Sequence, residues 1–77
     1  MSLSEEIKRI RQSSFLSQEA FARELSVSFS SVNRWESGIS KPNLNAMKNI
    51  KEFCAKQEID FDIIEREWLK PKTEEDK

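Results

Sequence analysis

Only one glycine and two prolines interrupt 77 residues, too little punctuation for a chain of tight β-turns, and β-branched runs are few. Apolar residues instead recur at spacings of three and four, which describes an all-α chain. Leu3, Ile7 and Ile10 define a first amphipathic helix over about 4–13, opened by Ser2 and Glu5 as a capping box and ended by Ser13 and Ser14. Ser17 caps a second helix over 18–25, with Phe21, Ala22 and Leu25 on its inner face. Ser28 caps a third over about 28–37, and Gly38, the single glycine, follows where a left-handed residue closes a helix. Pro42 and Asn43 restart the chain as a fourth helix carrying Leu44, Met47, Ile50 and Cys54 inward with Phe53 beside them. Asp60 or Asp62 caps a fifth, with Phe61, Ile64 and Trp68 inward, and Pro71 stops it. The expected organisation is one domain over residues 1–70 and a polar, frayed tail over 71–77.

Several chemistries lack their parts. With no histidine and one cysteine, Cys54, the chain cannot assemble a zinc site, a disulfide or a Ser-His-Asp triad. Asp60, Asp62 and Glu65 lack the glycine and spacing of a calcium loop. No enzyme activity, cofactor, metal or small-molecule ligand is expected. Apolar runs stop at three residues, Ala20–Ala22 and Phe53–Ala55, far short of a membrane span or a signal peptide. The expectation is a soluble, cytoplasmic protein with no membrane partner. Trp35, Trp68 and Phe53 read as core, and Cys54 as a small buried hydrophobe.

The net charge of −1 hides an asymmetry. Residues 1–57 hold nine basic groups against six acidic ones, and residues 58–77 hold four against eight. The body is therefore basic by three charges and the C-terminal segment acidic by four, a division that charge alone reads as a mildly basic solvated surface with an acidic tail before it reads as a phosphate-binding face.

Residues 18–37, two short helices joined by a tight turn, have the layout of a helix-turn-helix. At about 100° per residue from Ser28, Val32 and Trp35 share one side of the third helix, while Ser30, Asn33, Arg34 and Ser37 share the other. That outward set holds no Lys and no Glu, and Glu36 falls near the packed side. Asn pairs a donor with an acceptor, as adenine N6 and N7 require, and Arg offers a planar fork for guanine or phosphate. Asn33 and Arg34 are the leading base readers. Ser30 can reach a base or a phosphate. Phe29, at the flank, either touches a thymine methyl or covers the core. Gln18 can set its amide and the free N–H groups of the second helix on the DNA backbone.

The segments Ile7–Arg11 (IKRIR), Leu16–Leu25 (LSQEAFAREL), Val27 with Ser28, and Val32–Gly38 (VNRWESG) together resemble the phage Cro and lambda-repressor type of helix-turn-helix domain, over about residues 4–69. The resemblance implies five helices and DNA binding, with the second helix on phosphate and the third in the major groove. It implies Gln18, Phe29, Ser30, Asn33 and Arg34 at the DNA, with Ser37, Lys41 and Asn43 near phosphates. It further implies an internal ion pair between Arg11 and Glu36. Two residues depart from the family pattern: Ser26 stands at the usual turn glycine, and Phe15 stands where glycine often precedes the second helix. Ser26 is expected to tolerate a left-handed backbone at a cost of about 1 kcal/mol, and Phe15 to pack on neighbouring helices.

The function expected from these residues is sequence-specific binding of double-stranded DNA by a transcriptional regulator. One alternative is the DNA-targeting module of a larger methyltransferase or helicase. Another is an antitoxin-like protein-interaction module using the acidic, Trp-bearing C-terminus. Ile63 and Leu69 lie off the inner face of the fifth helix and offer apolar surface for a homodimer.

Overall fold

In the computed structural model, residues 2–70 are described, and they form five α-helices with no strands: α1 Leu3–Ser13, α2 Gln18–Leu25, α3 Phe29–Glu36, α4 Leu44–Gln57 and α5 Asp62–Leu69. The tail expected over 71–77 lies outside the described residues.

Local side chains fix the helix starts. Ser2 accepts from the Glu5 N–H at 3.2 Å while the Glu5 carboxylate accepts from the Ser2 N–H, closing the capping box. Ser17, Ser28 and Asn43 accept from the N–H groups of Ala20, Ser31 and Ala46 at 3.0, 3.1 and 2.8 Å. Each satisfies a first-turn donor that has no partner within its helix. α5 is the exception. Phe61 occupies its N-cap position without a side-chain bond, and Asp60, one residue earlier, accepts from the Asp62 N–H at 2.9 Å.

The helix ends follow one pattern four times. After α1, α2, α3 and α4 the chain turns through a left-handed residue, at Phe15, Ser26, Gly38 and Glu58 respectively. In each case that residue's N–H reaches back three residues, and the next N–H reaches back five: Leu16 to Arg11, Val27 to Ala22, Ile39 to Arg34 and Ile59 to Cys54. These paired bonds satisfy carbonyls that the helix leaves open.

The short loops fold the helices onto one core. α2 packs most extensively on α3, α1 lies across α3 and α5, and α4 backs α2. Ile7 and Ile10 meet Phe21, Leu25, Val32, Trp35, Met47, Ile50, Phe53 and Ile64 inside it. Phe21 and Phe53 pack edge to face, with ring centroids 5.3 Å apart, the arrangement that sets a ring's positive edge against its partner's negative face. Trp68 is half-buried and donates its indole N–H to the Pro42 carbonyl at 2.6 Å, tying α5 to the start of α4. Cys54 is buried, and burial pushes its thiol up to about 11, with Asp60 adding to the rise and Arg9 opposing it. The group is thus a neutral packing element.

Two expectations are corrected. Phe15 does not pack on neighbouring helices, being 95% exposed. Its backbone adopts φ 59°, so it occupies a glycine-type position with a side chain pointing into solvent. Leu44 is 67% exposed rather than inward, because the first turn of α4 projects beyond the core that Met47, Ile50 and Cys54 reach.

Candidate nucleic-acid interface

α3 is held by its inner face. Val32 and Trp35 are buried, while Ser30, Asn33, Arg34 and Ser37 are all exposed, so the outward face is polar and free to meet a ligand. The turn ahead of it, Ser26 to Ser28, is set by the left-handed Ser26 at φ 58° and by half-buried Val27. Ser28 then caps the helix. Phe29 stays outside the core cluster with half its surface exposed.

The far end of α3 is anchored by charge. Arg11 donates from Nε and Nη2 to the two oxygens of Glu36 at 2.7 and 3.0 Å, and from Nη1 to the Leu16 carbonyl at 2.9 Å. The side chains are 12% and 4% exposed, so the ion pair implied by the family resemblance is present and shielded. A two-pronged guanidinium–carboxylate bond of this kind fixes direction as well as distance.

Gln18 extends that anchor toward the surface. Its Nε2 donates to Glu36 Oε1 at 2.9 Å, and its Oε1 accepts from Asn33 Nδ2 at 3.2 Å. A continuous chain of hydrogen bonds therefore runs from Arg11 through Glu36 and Gln18 to Asn33 on the exposed face. Sequence reading paired Arg11 with Glu36 and placed Gln18 and Asn33 separately at the DNA. The link through Gln18 was missed, and its only signal was an amide at the start of α2 facing a carboxylate at the end of α3.

Other expected phosphate residues lie apart from this chain. Lys41 donates to the Trp68 carbonyl at 3.1 Å and sits over the Trp68 ring, 5.3 Å from its centroid, where a cation also favours the C-terminal end of α5. Asn43 uses its side-chain oxygen to cap α4. Ser37 is exposed at the end of α3, with its N–H bonded to the Asn33 carbonyl at 3.0 Å. Among the described residues, Arg34 has no ion-pair partner, which leaves its five donors available.

Two helices in this arrangement, the second polar outward and pinned inward, define a helix-turn-helix. A family model described as helix-turn-helix matches residues 7–58, and the chain belongs to that family. It is similar to the HTH-type transcriptional activator BcrR of Enterococcus faecalis, with 36% identity over 53 residues. The match takes in 69% of this chain and 26% of the relative, so the chain spans about a quarter of that protein's length. No solved structure matches the chain at a significant level. No helix among the described residues is long and apolar enough to cross a membrane.

Proposed function

We propose that this chain is a sequence-specific double-stranded DNA-binding domain that regulates transcription, with α3 entering the major groove and the N-terminal end of α2 resting on the phosphate backbone. The observation that carries the reading is the outward face of α3: Ser30, Asn33, Arg34 and Ser37 are exposed together on a helix whose opposite side is fixed by Val32, Trp35 and the shielded Arg11–Glu36 pair. Asn33 and Arg34 read bases, and Ser30 and Phe29 contact the groove beside them. Gln18, Ser37, Lys41 and Asn43 meet phosphates, Lys41 by releasing the Trp68 carbonyl. Membership of the helix-turn-helix family and the likeness to a transcriptional activator support this reading. The site of action is the cytoplasm, and the protein acts by binding, without catalysis.

A homodimer through α5 belongs to the same proposal, since a single recognition helix reads too few base pairs to find one genomic site. Selection of bound sequences from a random DNA pool tests the reading directly. An enriched inverted repeat is the expected result, and no enrichment at low salt would remove the DNA function and favour the protein-interaction module. A second reading, that the chain is the targeting module of a longer protein, is favoured by its covering 26% of its relative. That reading gives an enriched single half-site instead.

A further inference from the structure

Whether an asparagine accepts or donates toward a base depends on which way its amide is turned, and an isolated amide can present either end. Asn33 is not isolated. The Glu36 carboxylate contains only acceptors, and Arg11 holds it in place with bonds to both oxygens. The end of Gln18 that faces it, 2.9 Å away, must therefore be the NH2 group. This turns Gln18 Oε1 toward α3, where it can only accept, so the nearby end of Asn33 must again be NH2, at 3.2 Å. Asn33 is left with its carbonyl oxygen and one remaining N–H at the exposed surface.

We infer that Glu36 and Gln18 are positioning residues that set the polarity of the Asn33 amide, and that the base under Asn33 is one carrying an exocyclic amine, adenine above cytosine. This rests on the reading of α3 as the base-contacting helix. In the major groove adenine offers the N6 amine beside the N7 acceptor, matching the free oxygen and the free N–H of Asn33 together. Cytosine offers an amine alone. Guanine N7 and O6 and thymine O4 offer acceptors, and a carbonyl oxygen held toward them finds no donor. The buried carboxylate thus writes a preference at a base it does not touch, through two amides that cannot flip independently.

The inference is tested with the selected DNA site in four versions, differing in the base at the position where Asn33→Ala removes the wild-type preference. Wild type is expected to favour the amine-bearing bases over guanine and thymine by about tenfold or more. Gln18→Ala removes no core side chain and should melt with wild type, yet its ranking of the four versions should flatten to within about threefold of one another. Glu36 is tested by two variants. In Glu36→Gln a carboxamide oxygen placed where Oε1 sits still accepts from both Arg11 and Gln18, so the ranking should be kept, whereas Glu36→Met offers no acceptor and should flatten the ranking as Gln18→Ala does. Equal losses on all four versions in Gln18→Ala would overturn the inference and leave Gln18 as a phosphate contact alone, with base reading by Asn33 intact. A folded Glu36→Met that keeps the wild-type ranking would overturn it as well. Should Glu36→Met fail to fold, Gln18→Ala decides alone. If no position loses its preference in Asn33→Ala, the base-reading role of Asn33 falls and the inference falls with it, a result distinct from the others.

Discussion

Two glutamates lie in the interior of this molecule and make opposite demands on its stability. Glu36 accepts two bonds from Arg11 and one from Gln18, so its charge is fully engaged. Removing it leaves the shielded Arg11 guanidinium without a counter-charge, and Glu36→Ala is expected to cost about 3–5 kcal/mol in urea unfolding. An unchanged melting temperature would mean that the pair contributes nothing. Glu6 is buried too, but only Oε1 is used, accepting from Arg9, and Oε2 has no partner among the described residues. The Arg9 side chain is 45% exposed and can return to water. Glu6→Met should therefore stay within about 1 kcal/mol of wild type or exceed it, because a half-satisfied buried carboxylate is exchanged for apolar volume. A loss above about 2 kcal/mol in that variant would mean that Oε2 has a partner. The difference between the two glutamates was only half visible in the sequence. Helical phase turned Glu36 inward and the family resemblance supplied its arginine, whereas Glu6 carried no such mark, because nothing local shows which side of α1 its neighbours cover.

The helix ends carry strain that one glycine cannot relieve. Phe15, Ser26 and Glu58 hold φ near 58–59°, where a Cβ crowds the following carbonyl at about 1 kcal/mol or more per residue. Changing each to glycine is expected to stabilise the domain by about 0.5–1 kcal/mol, somewhat less than the strain because glycine also loosens the unfolded chain. Phe15→Gly is the cleanest case, since a side chain 95% exposed forfeits no packing. For a domain this small the change corresponds to about 4–8 °C in melting temperature per kcal/mol. A Phe15→Gly protein that melts with or below wild type would mean that the aromatic is held by something that offsets the strain. Conversely, Gly38→Ala should destabilise although a Cβ there would meet no atom within 4 Å, because the whole penalty is backbone. Helix starts were readable where a serine oxygen suits the first-turn donors, and Ser17 and Ser28 cap as expected; Asn43, read only as restarting the chain and as a phosphate contact, caps α4 in the same way. Ends were less readable. Glycine signals a left-handed stop in sequence, and here three of the four stops lack it; Ser26 and Phe15 were noticed only as departures from a family pattern, and Glu58 carried no signal. Leu44 was misread for a related reason: helical phase gives a residue's direction around its helix but not whether a neighbour extends far enough to cover it.

At the scale of the whole molecule, charge and apolar surface are separated. The body of residues 1–57 is basic by three charges and residues 58–77 acidic by four, so repulsion from DNA is concentrated on the segment that contains α5. If six or more phosphates are neutralised, affinity for a selected site should fall by orders of magnitude between about 50 and 200 mM salt, and a flat salt profile would contradict phosphate contact. The α5 end also holds the apolar surface that a dimer needs. Leu69 is 62% exposed, and it lines one groove with exposed Leu44, Met47, Phe61 and Trp68, while Ile63 is half-buried on another side of the helix. The surface available to a second copy is therefore centred on Leu44 and Leu69 more than on Ile63. If two such faces met about a two-fold axis with both copies of α3 on one side of the pair, the half-sites of an inverted repeat would lie about 34–36 Å apart, one DNA turn. Sedimentation of wild type at about 100 µM should detect association of the weak strength that DNA completes. A Leu44→Asp, Leu69→Asp double variant should be monomeric and bind the repeat without cooperativity, because two desolvated carboxylates would face each other across the axis. The same variant should keep wild-type affinity for a single half-site, since neither residue lies on the outward face of α3. Wild type that remains monomeric at that concentration and fills an inverted repeat one site at a time would eliminate the dimer, leaving a module whose second contact with DNA must come from a longer chain.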